Sequence, residues 1–398
     1  MQSSSARQAR ALVIVSQVCA DGGIQRFNRT FVAACDRLGV RCDVLSLGDS
    51  EASRAHWRAP DSVVTLKLFG HDKIRFALAV TAAIVRGGYD FIIIGHVNIL
   101  TLVVAATKLR SSARVIMIAH GIEVWSGIVG RRRRALRAVD LILCVSRYTR
   151  SLIQQQAPEL PEERLSVFPN ALSESWSEQF AAAGLVRLPA VPARYLLSVT
   201  RLDRADRYKG VITVLEALAM LEDTTLHYVV AGLGNDLQFT KRVAERLNIG
   251  ERVHFTGAVS DAELARLYRS CVCFVLPSGK EGFGIVFLEA MYFGAPVIAA
   301  REKGAVDVVQ HEETGLLIPY GDSIALKESI HRLADDAALR ARLSAAGRAT
   351  VIGNGLFTFS AYVARLAEQL RVPAPAALLQ PATAEELGET PELSTTHR

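Results

Sequence analysis

The sequence predicts an α/β protein built from two doubly wound domains that face a central cleft. Its 398 residues, half of them hydrophobic, are enough to bury two separate cores. Short apolar runs alternate with longer amphipathic stretches, which is typical of parallel sheets covered by helices. The alternation starts again after a polar stretch that contains Ala and Pro, so a second domain of the same kind follows the first.

Ten apolar runs are predicted as strands, five in each domain. The first domain contains Ala11–Val15, Cys42–Leu47, Phe91–Ile94, Val115–Ala119 and Leu141–Val145. The second contains Tyr195–Thr200, Leu226–Ala231, Arg252–Phe255, Cys273–Leu276 and Pro296–Ala300. We predict domains at residues 1–172 and 193–350, a linker at 173–192, a C-terminal helix at 351–371 that packs back on the first domain, and a disordered tail at 372–398.

The composition argues against several classes of protein. A net charge of +6 is too weak and too dispersed for a nucleic-acid-binding protein. The six cysteines lack the paired spacing of metal ligands, which indicates a reduced compartment. The apolar region from Phe76 to Leu109 is interrupted before it reaches the roughly 18 residues of a spanning helix. We therefore expect a cytoplasmic protein.

The most informative segment runs from Ser278 to Met291, where a strand leads into a helix. Gly282 and Gly284 let the backbone approach a ligand closely, and the free amides at the helix start provide an anion or hydroxyl site. Glu281 in the loop and Glu289 in the helix are about 10–12 Å apart at 1.5 Å per helical residue. That span suits two hydroxyl-rich groups flanking a diphosphate, although isolated glutamates of this kind are usually structural.

This segment resembles glycosyltransferase family 4, whose signature is two glutamates separated by seven residues, with Gly-Phe-Gly between them. The resemblance implies a GT-B fold of two Rossmann-like domains, a nucleotide-sugar donor and transfer with retention at the anomeric carbon. It also implies that Glu281 holds the sugar hydroxyls, that Glu289 holds the ribose diol and that loop amides bind sugar and phosphate oxygens. The donor-binding set in this segment comprises Gly282, Phe283, Gly284, Ile285 and Glu289.

A second group of candidate site residues, which are basic, follows the first strand of the second domain. The planar fork of Arg grips phosphate oxygens and Lys adds a mobile charge, so together they neutralise a departing diphosphate. Basic loop residues are usually only solvated, but the family places an Arg after this strand and a Lys before the next helix. Arg201 and Lys209 match these positions. The longer loop here leaves Arg204 and Arg207 in doubt as binders.

The first domain contributes two predicted sites. Gly22 and Gly23 form a strand-to-helix turn, which in the family lies over the donor diphosphate. His120 follows a strand and precedes a glycine, and the family commonly has such a His beside the donor sugar. A lone His is more often structural, but the resemblance implies that His120 positions sugar hydroxyls and binds no metal. Gln25 and Arg26 are expected nearer the acceptor.

Two weaker matches accompany these motifs. Pro169 and Asn170 resemble the family's Pro-Asn hinge before the second domain. Asp307 stands where the family has a Glu at a helix start. The resemblance implies that the first domain binds the acceptor and the second the nucleotide sugar.

Other functions remain open at this point. The run Val229–Leu237 begins like a dinucleotide-binding fingerprint, but Leu237 occupies the third glycine position and disfavours an oxidoreductase. A nucleotide-sugar epimerase of GT-B architecture and a noncatalytic nucleotide-sugar-binding protein stay as alternatives, because a fold does not determine a function.

The sequence and the resemblance together predict a metal-independent hexosyltransferase without a cofactor. Arg201, Lys209 and helix amides supply the charge neutralisation that a divalent ion supplies elsewhere. GDP-mannose or a UDP-hexose is the expected donor, and a glycan or polyprenyl-diphosphate lipid of surface polysaccharide or glycolipid assembly is the expected acceptor. The basic run Arg131–Arg134 is either a solvated helix face or a contact with anionic membrane, which suits a lipid-linked acceptor at the cytoplasmic face.

Overall fold

A computed structural model describes residues 7–20, 22–109, 111–173, 191–352 and 355–375. Two parallel sheets organise the two halves. The first sheet contains β1 (Arg10–Val15), β2 (Arg41–Ser46), β3 (Val63–Leu68), β4 (Phe91–Ile94), β5 (Arg114–Ala119), β6 (Leu141–Cys144) and β7 (Leu165–Val167). The second contains β8 (Tyr195–Val199), β9 (His227–Ala231), β10 (Val253–Gly257), β11 (Cys273–Leu276), β12 (Val297–Ala300) and β13 (Leu316–Ile318).

Helices connect the strands. The first half contains α1 (Gly23–Arg37), α2 (Lys73–Arg86), α3 (Leu100–Thr107), α4 (Ile122–Trp125), α5 (Gly130–Leu136) and α6 (Arg147–Gln156). The second half contains α7 (Val211–Ala219), α8 (Leu237–Arg246), α9 (Asp261–Ser270), α10 (Ile285–Tyr292), α11 (Ser323–Asp335), α12 (Ala337–Ala349) and α13 (Phe359–Leu370). The predicted α/β architecture with two doubly wound domains is confirmed.

The interior strands are buried on both faces, which explains why they form continuous apolar runs in the sequence. In β1, Val13 and Val15 belong to the core that includes residues of α1, while Leu12 and Ile14 belong to the core beneath α2 and α3. A parallel sheet covered by helices on both sides buries successive side chains alternately on its two faces. Continuous apolar runs in the sequence are therefore enough to locate such strands.

Three strands were missed by the sequence prediction, and all three lie at sheet edges. The strand orders are β3-β2-β1-β4-β5-β6-β7 and β10-β9-β8-β11-β12-β13. The residues of β3 are partly exposed, and β7 and β13 have only three residues each. An edge strand has a neighbour on one side only, so its sequence carries less of the continuous apolar signal.

The C-terminal helix α13 returns to the first half of the chain and packs beside α1. The ring of Tyr362 lies 4.7 Å from that of Phe168 and 6.2 Å from that of Phe27, measured between centroids. Within the predicted helical range 351–371, the helix itself begins at Phe359. Most of the predicted linker, residues 174–190, and most of the predicted tail, residues 376–398, lie outside the described residues.

One hydrophobic core is shared by the two halves. It contains Phe27 and Phe31 of α1 together with Phe283 and Phe287 around the start of α10. Burial of large aromatic side chains stabilises contacts strongly. The shared core therefore holds the starts of α1 and α10 beside each other.

Candidate active site

Two helices begin on opposite sides of the cleft at the carboxyl ends of the sheets. α1 begins at Gly23 after β1, and α10 begins at Ile285 after β11. A Cβ placed on Gly23 would lie 3.9 Å from Cγ2 of Ile285, so the two helix starts are close neighbours. Unpaired amides and the positive end of the helix dipole make a helix start favourable for anions. The fold thus brings the predicted donor residues of both halves to one place.

The donor loop contains glycines at positions where a side chain cannot fit. A Cβ on Gly282 would lie 2.2 Å from the carbonyl oxygen of His120, across the cleft. Gly284 precedes α10 with φ of +93°, a conformation that side-chain-bearing residues rarely adopt. These glycines therefore serve the close approach of the two halves and the entry into the helix, whether or not a ligand is bound.

Phe283 contributes to the site through its backbone. Its side chain is buried, and its ring packs edge to face on Phe357 with centroids 5.7 Å apart. The aromatic ring therefore belongs to the core, and the amide beside the start of α10 is the part of this residue that can face a donor.

Glu281 and Lys209 form an ion pair in the cleft. Nζ of Lys209 donates to Oε2 of Glu281 at 2.7 Å, and both side chains are largely buried. Lys209 lies just before Gly210, which takes φ of +81° and leads into α7. Two residues that the family resemblance assigns to the donor sugar and the diphosphate are thus held as one unit.

Glu289 is buried inside α10, with only 1% of its side chain exposed. The hydroxyl of Tyr268, on α9, donates to its Oε2 at 3.0 Å. Its Oε1 forms an ion pair with the guanidinium of Arg26, from the first turn of α1. Arg26 was expected nearer the acceptor, and the structure places it against the residue assigned to the donor ribose.

Arg201 and Arg207 differ sharply in their surroundings. Arg201 is three-quarters exposed, and its guanidinium lies 3.0 Å from Asp206 in the same loop. Arg207 donates twice to Asp236, at 2.6 and 2.7 Å, and stacks 3.8 Å from the ring centre of Phe239. This pairing lowers the pKa of the Asp236 carboxyl. Arg207 is therefore fixed by a structural partner, whereas Arg201 extends into solvent, where it can contact a phosphate group.

His120 is buried and neutral. Burial lowers its pKa to about 4. Its Nε2 lies 3.0 Å from the carbonyl oxygen of Gly95, and its ring meets Phe27 edge to face at 4.9 Å. Because a carbonyl only accepts hydrogen bonds, we assign the proton to Nε2 and leave Nδ1 as an acceptor. A neutral imidazole of this kind suits a hydroxyl partner.

Two family models match the chain. The model described as Glycosyltransferase Family 4 matches residues 21–176, and that described as Glycosyl transferases group 1 matches residues 190–350. The chain belongs to glycosyltransferase family 4. The predicted glycosyltransferase activity and the GT-B fold are thereby confirmed.

Named relatives agree with this family assignment, and a solved structure agrees with the fold. A GDP-mannose-dependent phosphatidylinositol monomannoside mannosyltransferase of Mycobacterium tuberculosis is 29% identical over 68% of this chain and 73% of its own length. The Mycolicibacterium smegmatis enzyme of the same name is 27% identical over 88% of this chain and 94% of its own. The Anabaena protein HepE, solved with UDP-glucose, has a TM-score of 0.72 and 19% identity, covering 91% and 99% of the two chains.

Further residues link the halves of this glycosyltransferase and were not predicted. Asp307 binds Arg147 at the start of α6, with Oδ1 2.8 Å from Nε. Lys303 donates to the carbonyl of Gly279 at 2.7 Å and lies 5.0 Å from the ring centre of Trp125. The sequence showed Asp307 only as a departure from the family's Glu, and no local pattern signals its partner across the cleft.

The structure gives two further findings on the described part of the chain. No three or more His, Cys, Asp and Glu side chains cluster there in a way that would hold a metal ion. None of the helices in the described ranges is long and apolar enough to cross a membrane. The basic run of α5 lies beside Asn98 and Glu159.

Proposed function

We propose that this glycosyltransferase moves a hexosyl group from a nucleotide diphosphate sugar to a glycan or lipid-linked acceptor, with retention at the anomeric carbon. The observation that supports it best is the order of charges along the donor loop. Glu281 with Lys209 lies before the start of α10, and buried Glu289 lies one turn inside it. A donor lying along this loop meets a carboxylate at its sugar, helix amides at its diphosphate and a second carboxylate at its ribose.

GDP-mannose or a UDP-hexose is the proposed donor. The mycobacterial relatives are named as GDP-mannose-dependent, and HepE was solved with UDP-glucose. The same mycobacterial names describe a phosphatidylinositol mannoside as the molecule that is extended. They support a lipid-linked acceptor here, in glycolipid or surface polysaccharide biosynthesis.

The proposed chemistry depends on neutralising the leaving group. As the bond from the anomeric carbon to the diphosphate oxygen breaks, the electron pair remains on the nucleoside diphosphate. The acceptor oxygen bonds to the same face of the sugar, and its hydroxyl proton passes to the departing diphosphate oxygen. Arg201 and Lys209 then stabilise the added negative charge, together with the amides at the start of α10. Neutral His120 accepts a hydrogen bond from a sugar hydroxyl through Nδ1 and so orients the transferred group.

Activity in the absence of metal ions is a direct test of the proposed mechanism. Full activity is expected in excess EDTA, because Arg201, Lys209 and the helix amides carry the neutralisation in this proposal. The measurement is initial rate against EDTA concentration, with magnesium and manganese added back in parallel. Strict dependence on either ion would contradict the proposed mechanism.

The membrane contact proposed for Arg131–Arg134 has support from neighbouring helices. The four arginines on α5 are exposed, although Arg133 shares Glu159 with Arg137 in a surface ion pair. α5 packs beside α3, and α3 beside α2. On α2, Ile74 and Leu78 are exposed one turn apart. Basic groups on one helix of this layer and exposed aliphatic side chains on another suit the surface of an anionic bilayer at the cytoplasmic face.

Replacing Arg131–Arg134 by serine is expected to reduce binding to anionic vesicles and to weaken the use of a lipid-linked acceptor. Each basic group near such a surface contributes about 1 kcal/mol. High salt should reproduce the loss, since it screens exposed charges. As a comparison, the double change Ile74→Ser and Leu78→Ser should weaken binding without changing its salt dependence. If the parent protein does not bind these vesicles, α5 is only a solvated face.

A screen of nucleotide sugars tests the function as a whole. Transfer or slow hydrolysis of one donor, together with thermal stabilisation by its nucleoside diphosphate, is the expected result. Conversion of the donor sugar to its epimer without acceptor glycosylation would replace the proposal by an epimerase. Binding without turnover of any donor would replace it by a noncatalytic binding protein.

A further inference from the structure

The charged partner of Glu289 lies in the other half of the molecule. Its carboxylate is almost fully buried, and the Tyr268 hydroxyl occupies one oxygen from within the second half. The other oxygen pairs with Arg26 of α1. A buried carboxylate is tolerated only when it is paired and hydrogen-bonded, so the ion pair with Arg26 is part of what stabilises this buried group.

Backbone geometry supports this contact independently of the two side chains. Arg26 lies in the first turn of α1, where its amide donates to the carbonyl of Gly22 at 2.9 Å. The start of that helix adjoins Ile285 at the start of α10. A side chain from the first turn of α1 therefore reaches the second turn of α10, where Glu289 lies.

Arg26 and Glu289 also line one cavity between the halves. This cavity has a volume of about 580 Å³, and Ile285 and Asp261 of the second half contribute to its wall. The ion pair therefore borders a space of the size in which small ligands bind. By contrast, the Arg147–Asp307 pair also joins the halves, but Arg147 is 72% exposed, so solvent weakens that pair.

We propose that Arg26 is a positioning residue of the donor site, which holds the Glu289 carboxylate in place for the ribose hydroxyls of the nucleotide. An ionised carboxylate has about four acceptor positions; Tyr268 uses one of them, while Arg26 faces the other oxygen in an ion pair and Oε1 has no hydrogen-bond donor of its own among the described residues. Two ribose hydroxyls can therefore bind while the ion pair persists. Hydrogen bonds to an ionised acceptor are stronger than those to a neutral one.

This arrangement makes nucleotide affinity depend on contact between the two halves. The carboxylate belongs to the second half and its guanidinium partner to the first, so the complete ribose site exists only where α1 meets α10. Any nucleotide that prefers the complete site favours that contact in return, because coupling between two equilibria is reciprocal. The inference rests on the proposed function, since it assumes that Glu289 meets the ribose.

The test uses the full chain and four variants: Arg26→Gln, Arg26→Lys, Glu289→Gln and the double variant with glutamine at both positions. GDP and UDP are titrated separately by calorimetry, and donor kinetics are measured with the nucleotide sugar that the parent protein uses. Arg26→Gln is expected to weaken the nucleotide about tenfold. Donor KM should rise by a similar factor with little change in kcat, which is the signature of lost ground-state binding.

Two comparisons separate positioning from a general effect of charge or folding. Arg26→Lys should recover most of the affinity, because it retains the charge that Glu289 needs. Adding Arg26→Gln to Glu289→Gln should have little further effect, because Arg26 then has no carboxylate to hold. Arg37→Gln, an exposed arginine in the last turn of the same helix and outside the cavity lining, is the matched control and should bind nucleotide like the parent.

The outcomes distinguish this inference from the function on which it rests. If the parent binds neither GDP nor UDP, the proposed function fails and the inference with it. If the parent binds and Arg26→Gln binds equally well or more tightly, only the inference fails, and tighter binding would mean that Arg26 competes with the nucleotide. Equal losses in Arg37→Gln and Arg26→Gln, or an undiminished effect of Arg26→Gln in the Glu289→Gln background, would also overturn it.

Discussion

Replacing Arg201 or Lys209 by alanine is expected to lower turnover by about 100- to 1,000-fold, which is the usual effect of removing one group that stabilises transition-state charge. Both side chains are cationic and lie in the loop that precedes α7. Arg201 extends into solvent beside Asp206, and Lys209 is held by Glu281. Negative charge on the diphosphate is greatest as the sugar leaves, so the loss should appear mainly in kcat.

Arg204→Ala is the matched control for these two variants. It removes a cation from the same loop, and Arg204 is held there by its backbone amide, which donates to Asn235. Its turnover should stay near that of the parent protein. Initial rates with saturating donor provide the measurement, and circular dichroism checks that each variant is folded. Near-normal turnover in both Arg201→Ala and Lys209→Ala would show that the diphosphate is neutralised by other groups.

Substitutions of Glu281 and Glu289 are expected to have different effects on ligand binding. Glu289→Gln should weaken nucleoside diphosphate and intact donor alike, because the ribose is common to both ligands. A hydrogen bond to a charged group contributes about 1.5–3 kcal/mol, so the affinity should fall by about one to two orders of magnitude. Glutamine preserves the volume of the side chain at this buried position and keeps a partner for the Tyr268 hydroxyl.

Glu281→Gln should instead spare nucleoside diphosphate binding and damage donor recognition and turnover. Its proposed partner, the sugar, is present only in the intact donor. Because the substitution also releases Lys209, the fall in turnover should exceed the loss of donor affinity. Calorimetry with nucleoside diphosphate on both variants decides between the roles. Equal losses of nucleotide affinity would mean that both carboxylates only stabilise the loop and helix.

The interior strands and the donor loop were predictable because their signals are local. Ile298 and Ala299 lie in β12, a strand buried on both faces, and such strands are continuous apolar runs in any sequence. The loop and the first turns of a single helix place Glu281 and Glu289 around one helix start. The spacing of the two glutamates in the sequence therefore predicts their relative positions in the structure. The family resemblance then added roles to residues whose positions the spacing already indicated.

The contacts between the halves were not predictable in this way. Arg26 was expected nearer the acceptor because it lies in the first half of the chain, to which the resemblance assigns the acceptor. Its actual partner, Glu289, lies in the other half of the chain. Tyr268 belongs to an ordinary amphipathic helix, and nothing around it in the sequence indicates that its hydroxyl binds a buried carboxylate.

By itself, the sequence determined that this chain forms two α/β halves, where their central strands lie, and which loop presents two carboxylates around a helix start. Those properties follow from hydrophobic periodicity and from the fixed rise of a helix, which act over short stretches of chain. Only the tertiary structure decided that Gly282 meets the backbone of His120, and that Arg26 pairs with Glu289. These contacts depend on how two separately folded sheets pack around a shared core, and residues far apart in sequence carry no local pattern of that packing.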